Sequence, residues 1–179
     1  MTATPSSTGS DSRSSRTPPL TDNPALAAVA VQLLRLPASV APLTEEDARC
    51  IVAFLRLVAY PKGAPVLREG DVGAGYMLLV LEGEVEVDAG SGNEALAIGV
   101  LGPGSIIGEM ALLDGSPRSA SCTAVSPVLA AGLSRKGLEA LLAAHPAVAA
   151  RLALGLAQRI GERLRALGQQ LQMYARING

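Results

Sequence analysis

IGEMALLDGSPRSA, residues 107–120, is the stretch from which the fold of this 179-residue chain can be read. A glycine turn, GPG at 102–104, precedes it, and Gly108 then leads into one short helical turn that DGSP at 114–117 closes. The first N–H groups of a helix have no internal partner, and they form an anion site at its positive end. Because Gly108 has no side chain, a ligand can approach the main chain there. The stretch therefore predicts a loop and helix that hold an anion.

Two charged residues of this stretch complement the predicted anion site. Glu109 is a carboxylate that can accept a hydrogen bond from a sugar hydroxyl, and Arg118 can pair with an anion in a charge-assisted contact. An anion, a hydroxyl donor and an apolar wall together describe a nucleotide sugar phosphate. The residues alone leave an alternative open, in which Arg118 forms a salt bridge with Glu109 and no ligand enters.

The residues on both sides of this stretch, from Ala64 to Leu133, form short apolar runs separated by glycines, which is typical of β-strands. Val85 and Val87 alternate with acidic residues, so we expect the two valines to face inward. Many short strands at this spacing predict a small antiparallel β-barrel or jelly roll (a double-stranded β-helix). The predicted strands are 65–68, 76–81, 84–88, 95–101, 119–125 and 128–133.

Helices are predicted before and after the barrel. Asn23, followed by Pro24, caps a helix that continues to residue 36, and Thr44 caps a second helix that runs to about Val58. The first 22 residues are rich in Ser, Thr and Pro and predict a disordered tail. The expected domain is of the α+β class and covers 23–179, with helices over 23–58, a β-barrel over 60–134 and C-terminal helices over 135–144 and 146–176.

The last predicted helix carries apolar residues at steps of four, three, four and three. This spacing is typical of a coiled-coil seam two heptads long. It favours a homodimer through the C-terminal helix, and the alternative is that the helix packs on its own barrel. The residues of the seam are Ile160, Leu164, Leu167, Leu171 and Tyr174.

The composition excludes several classes of function. The net charge of −1 argues against a broad nucleic-acid surface, and no apolar run is long enough to cross a membrane. Cys50 and Cys122 have no metal-ligand spacing around them, which predicts free thiols in the reducing cytoplasm. His145 is the single histidine, and no nucleophile or metal ligand accompanies it in the sequence. We therefore expect a binding protein with no metal and no catalytic residues.

Residues 107–113, IGEMALL, followed after three residues by PRSA at 117–120, resemble the phosphate-binding cassette of cyclic nucleotide-binding domains. Residue types and the spacing from Glu109 to Arg118 agree together over fourteen positions. LEGEV at 81–85 is similar to an early strand of the same family. The resemblance extends over about residues 33–171, and the chain differs by one additional residue near 73–76.

The resemblance implies a role for each residue of the cassette. Glu109 would accept the ribose 2′-hydroxyl, and Arg118 would neutralise the cyclic phosphate. The remaining site residues that the resemblance implies are the phosphate cradle of Gly108, Met110, Ala111 and Ser119, the barrel wall of Val87, Ile98, Ile107 and Ala120, and a cover over the base from Tyr174 and Arg176.

The resemblance also implies a function. In the transcription-factor branch of the family a helix-turn-helix domain follows the long helix, whereas only residues 175–179 follow it here. We therefore expect a stand-alone sensor of cAMP or cGMP that acts on an effector protein in trans. A hydroxyl residue directly after Arg118 is compatible with either base, and cAMP is slightly favoured. The alternative is a structural or protein-interaction module that keeps the fold without a ligand.

Overall fold

The structure, a computed structural model, describes residues 17–34, 40–73, 75–89 and 96–178. The strands are β1 (Arg56–Tyr60), β2 (Pro65–Leu67), β3 (Tyr76–Glu82), β4 (Val85–Ala89), β5 (Leu96–Leu101), β6 (Ile106–Ile107), β7 (Ser121–Ala124) and β8 (Val128–Ser134). The helices are α1 (Pro24–Leu33), α2 (Glu45–Val52), α3 (Glu109–Asp114), α4 (Arg135–Ala144) and α5 (Pro146–Asn178).

Within the described residues, the strands form two four-stranded sheets in which every strand pair is antiparallel. The strand orders are β1-β8-β3-β6 in the first sheet and β2-β7-β4-β5 in the second. Helices precede the sheets in the chain, and a long helix follows them. The predicted α+β jelly roll with flanking helices is therefore confirmed, although the strands form two separate sheets and not one closed barrel.

Strand β3 lies between two apolar cores because both of its faces are buried. Met77 and Leu79 belong to the core that the helices share with the first sheet, whereas Leu78 and Val80 belong to the core between the two sheets. Successive side chains of a strand point to opposite faces, so a continuous apolar run is what this position requires. The first sheet is thus the middle layer of the molecule.

The predicted second helix is too long. Helix α2 ends at Val52, and residues 56–58, which we expected to be helical, belong to β1, which pairs with β8 in a continuous register from Arg56–Gly132 to Tyr60–Val128. The apolar residues of this segment fit a helix or a strand equally well by composition. The segment forms a strand because its pairing with β8 outweighs its weak local propensity. The short strand β6 was likewise not expected.

The predicted tail also extends too far into the fold. Leu20 is fully buried, and its N–H donates to the carbonyl of Leu55 at 3.0 Å. The carbonyl of Pro18 accepts from Leu57 N at 2.9 Å, so this segment continues the edge of the first sheet. The prediction of disorder is therefore wrong for the end of the tail, and residues 1–16 lie outside the described residues.

Helix α5 divides into two parts by its surroundings. Ala149, Leu152 and Leu156 in its first half are buried against the other helices and the first sheet. Leu164 and Leu167 in its second half are exposed. At 33 residues the helix is about 50 Å long. Across the described part of the chain, no helix combines the length and the hydropathy that spanning a membrane requires.

Candidate functional site

Gly108 forms the turn that joins β6 to α3. Its φ of +75° lies in the left-handed region, which residues with a side chain rarely adopt. A Cβ atom at this position would also lie 2.5 Å from Nη1 of Arg118 and 2.9 Å from the carbonyl oxygen of Tyr76. Glycine therefore allows the start of α3 to lie directly against Arg118.

Arg118 is the cation of the site, and it is held in place from several directions. Its side chain is buried, and Nη1 donates to the carbonyl oxygens of Tyr76 and Gly108, each at 2.8 Å. Its main chain exchanges hydrogen bonds with the turn after β2: Arg118 N donates to Asp71 O, and Gly70 N donates to Arg118 O. Carbonyl oxygens carry only partial charge, so they orient the guanidinium without neutralising it. A buried cation held in this way is suited to an anionic ligand.

Glu109 is the buried carboxylate of the site and lies in the first turn of α3. Its Oε1 accepts a hydrogen bond from Nη1 of Arg163 in α5 at 2.7 Å. Nη2 of Arg163 donates to the carbonyl of Ile106 at 2.8 Å, so this arginine ties α5 to both ends of the β6–α3 turn. The salt bridge of the alternative interpretation would join Glu109 to Arg118, whereas the ion pair of Glu109 is with Arg163. Glu109 and Arg118 are therefore not paired with each other.

A cavity of about 80 Å³ opens between α3, the second sheet and α5. Arg118 and Glu109 both line it, together with the N-terminal residues of α3, so a cation and a hydroxyl acceptor face one space. Nearly all residues that the sequence places at the site line this cavity. They are Val87, Ile107, Gly108, Glu109, Met110, Ala111, Arg118, Ser119 and Ala120.

Two further residues expected at the site, Ile98 and Arg176, are not among those that line the cavity. Ile98 is 52% exposed, and it lies on the same strand face as Val100, which is two residues away and 54% exposed. Arg176 is exposed in the last turn of α5. The side chain of Tyr174 lies outside the described residues. The cover over the base that the sequence assigns to Tyr174 and Arg176 therefore stays a prediction.

The cavity is also lined by four residues that were not expected there: Leu67, Leu101, Cys122 and Arg163. Cys122 could have been predicted from the sequence, because Cys122 and Ala124 alternate with the polar Ser121 and Thr123 along β7. This alternation is typical of a strand that points its apolar residues into a core. Arg163 had no comparable signal, because α5 carries several arginines and the sequence does not state which of them faces the sheets.

The charges of the site act on two neighbouring groups. Burial, assisted by the nearby Glu109 carboxylate, raises the pKa of the Cys122 thiol to about 11, so the thiol stays protonated and serves as an apolar wall. Burial lowers the pKa of the Arg159 guanidinium, and the positive charge of Arg163 also lowers it. In the described residues, no group of three His, Cys, Asp or Glu side chains is placed to hold a metal ion.

Comparisons with known proteins agree with this geometry. The family model of the cyclic nucleotide-binding domain matches residues 57–145. A solved cyclic nucleotide-binding domain from Methylobacillus flagellatus is 32% identical, with a TM-score of 0.74, and the match covers 82% of each chain. The chain therefore belongs to the cyclic nucleotide-binding domain family, as the resemblance of residues 107–120 predicted.

Curated relatives in the family are regulatory proteins. The cyclic AMP receptor protein of Thermus thermophilus is 36% identical over 67% of this chain and 56% of its own length. A cAMP-dependent protein kinase regulatory subunit of Colletotrichum orbiculare is 34% identical over 56% of this chain and 25% of its own length. The chain spans about half the length, or less, of these curated relatives.

Proposed function

We propose that this chain binds a cyclic nucleotide monophosphate in the cavity beside α3, with cAMP slightly favoured over cGMP. The observation that carries the proposal is that Arg118 and Glu109, both buried, line one cavity at the start of a helix. The names of the relatives from Thermus thermophilus and Colletotrichum orbiculare, both of which refer to cAMP, support this choice of ligand. Because these relatives are regulators, we propose binding without catalysis.

Each charged residue has a distinct task in this proposal. Arg118 neutralises the cyclic phosphate, assisted by N–H groups at the start of α3 and by the hydroxyl of Ser119. Glu109 accepts a hydrogen bond from the ribose 2′-hydroxyl, since an ionised carboxylate can accept several hydrogen bonds and Arg163 occupies one of its oxygens. The site thus recognises the sugar and the phosphate through different residues.

The size of the cavity couples binding to α5. Pockets that enclose small ligands have volumes of about 300 Å³ or more, whereas this cavity measures about 80 Å³. Its wall includes Arg163, whose side chain is 46% exposed and so has solvent to move into. We therefore infer that binding moves Arg163 and changes the local contact between α3 and α5. A nucleotide that prefers the rearranged state shifts the population of α5 positions, and a partner protein can read that shift in trans.

Isothermal titration calorimetry with cAMP and cGMP tests the binding proposal on nucleotide-free protein. We expect saturable binding by the wild type and a loss of about 100-fold in affinity for Arg118→Ala, because a charge-assisted contact to the phosphate is removed. Arg56→Ala is the matched control, because Arg56 is an exposed arginine of β1 away from the cavity. Absence of saturable heat with both nucleotides overturns the proposal and favours the structural module.

We further propose that a second copy of the chain covers the second half of α5. Leu164 is 69% exposed, and Leu167 and Met173 are exposed as well, so one helix leaves several large apolar side chains in solvent. Leu164 and Leu167 keep the heptad spacing of the predicted seam, which fits a helix of the same sequence, and Met173 lies beside that seam. Light scattering after gel filtration is expected to give a dimer for the wild type and a monomer for Leu164→Glu. Arg165→Glu is the control, and a monomeric wild type contradicts the dimer.

A further inference from the structure

The ring of Tyr76 lies against the guanidinium of Arg118, and the distance from Cζ of Arg118 to the ring centroid is 4.3 Å. A cation over the face of an aromatic ring is attracted by the ring quadrupole, and the attraction is strongest where water is excluded. Arg118 is only 7% exposed and Tyr76 is half-buried, so little water reaches this contact. The stacking is therefore placed where it can affect the position of the cation.

Tyr76 is itself fixed by the sheets. It begins β3 and pairs with Ser134 of β8, and its hydroxyl donates to the carbonyl of Val66 in β2 at 3.4 Å. Its own carbonyl accepts from Nη1 of Arg118. One residue thus contacts the guanidinium twice, with its ring on the face and with its carbonyl on the edge.

The ring and the candidate cavity contact Arg118 from different sides. Arg118 lines the cavity described above and also a second cavity of about 290 Å³, whose wall includes Tyr76, Val66 and Asp71. Tyr76 lines only the second cavity. Without the ring, solvent in the second cavity would reach the guanidinium from behind, and the side chain could turn towards it.

We propose that Tyr76 is a positioning residue for Arg118. Stacking fixes the plane of the guanidinium and keeps water from the side away from the nucleotide cavity, while two carbonyls occupy Nη1. The remaining N–H groups are then held ready for an anion, so less side-chain freedom is lost when the anion binds. The expected effect on affinity rests on the proposed function, whereas the stacking itself can be tested without a ligand.

Nuclear magnetic resonance of the nucleotide-free protein tests the stacking. Protons on the side chain of Arg118 should show the upfield ring-current shift of atoms above an aromatic face, and Arg118→Lys identifies the signals by their loss. We expect the shift to remain in Tyr76→Phe and to disappear in Tyr76→Leu. Phe54→Leu is the matched control, because Phe54 is a half-buried aromatic residue packed against the other core. An unshifted Arg118 in the wild type overturns the inference.

Titration with cAMP then tests the consequence for binding. We expect Tyr76→Phe and Phe54→Leu to stay within about twofold of the wild type, and Tyr76→Leu to bind about tenfold more weakly. Rescue by phenylalanine separates the ring from the hydroxyl and from general packing damage, and thermal melting identifies a variant that fails to fold. Wild-type affinity in Tyr76→Leu overturns the positioning role although nucleotide binding stands. A wild type that binds no nucleotide instead overturns the proposed function, and the ring-current shift still decides the stacking.

Discussion

Asp47 and Glu109 are two buried carboxylates with similar local settings and different surroundings. Each lies in the first turn of a short helix and is 5% exposed or less. Each accepts a hydrogen bond at 2.7 Å from Nη1 of an arginine on α5, Arg151 for Asp47 and Arg163 for Glu109. By charge, burial and partner type alone, the two could not be assigned different roles.

Their remaining contacts separate them. Asp47 also accepts from the main-chain N–H of Thr44 at 2.9 Å, and Thr44 Oγ1 accepts from Asp47 N at 3.1 Å, which completes a capping box. Both oxygens of Asp47 are thus used within the protein. Glu109 lies at a cavity that it shares with the buried Arg118. A buried ion pair at the start of a helix therefore does not distinguish the two carboxylates. The cavity that Glu109 shares with a second cation does distinguish them.

Replacing Glu109 should produce the largest effect. Glu109→Ala is expected to weaken cAMP binding by about 100-fold, because hydrogen bonds to a charged group contribute about 1.5–3 kcal/mol. The wild type should also bind 2′-deoxy-cAMP much more weakly than cAMP, and Glu109→Ala should bind the two equally. Calorimetry measures both differences.

Asp47→Ala is the control for the Glu109 variant, and it should change cAMP affinity by less than about twofold. If Glu109→Ala still discriminated against the 2′-deoxy ligand, Glu109 would not contact the ribose. The two carboxylates would then be structural alike.

Replacing Asp47 should affect stability instead. Asp47→Ala removes a helix cap and leaves Arg151 without its carboxylate, so we expect a loss of about 2 kcal/mol in the free energy of unfolding. The side chain of Arg151 is 40% exposed, which keeps this value below that of a fully buried pair. Urea denaturation measures the loss, with Glu46→Ala as the control in the same turn. An equal effect of both variants would contradict the assigned role of Asp47.

Residues 107–120 could be interpreted from the sequence because the residues that line the cavity stand close together in the chain. Gly108, Glu109 and Arg118 lie within eleven consecutive residues, although Tyr76 and Arg163, which hold the two charged side chains, are distant in sequence. The alternating valines of β4 were predictable for the same reason, since Val85 is buried and Val87 lines the cavity.

Arg163 could not be assigned from sequence, because its position depends on distant packing. It reaches Glu109 across 54 residues, and the rotation of α5 about its axis selects it over Arg165. Ile98 was assigned wrongly for a different reason. It has the composition of a wall residue, but it lies two residues from Val100 on the strand face that points to solvent, and both side chains are exposed.

Acid should reveal a smaller difference at Asp47. Burial raises the pKa of this carboxyl, but hydrogen bonds from Thr44 and the charge of Arg151 outweigh burial and hold the pKa below its ordinary 3.8. Because the unfolded chain binds this proton more readily, the stabilisation is complete above about pH 4 and is lost as pH falls through the folded pKa.

Asp47→Asn should therefore lose less stability than the wild type when the pH is lowered from 5 to 3. The difference between the two losses should be below about 1 kcal/mol. Urea midpoints at the two pH values measure this difference, and Glu46→Gln is the control. A wild type and an Asp47→Asn variant that lose equal stability would contradict the lowered pKa.

Arg163→Ala should give the smallest effect, confined to one part of α5. The side chain of Arg163 is 46% exposed, which limits the contribution of its pair with Glu109 to about 1 kcal/mol or less, although the carboxylate itself is buried. Amides of α5 beyond about residue 160 should therefore exchange hydrogen up to about fivefold faster, with a small decrease in melting temperature. Arg151→Ala, which breaks a pair of similar exposure, should lower the melting temperature without changing exchange beyond residue 160, and Arg165→Ala should change neither quantity. If Arg163→Ala left exchange unchanged, α5 would not be held at Glu109, and a nucleotide at that carboxylate could not act on the helix through this contact.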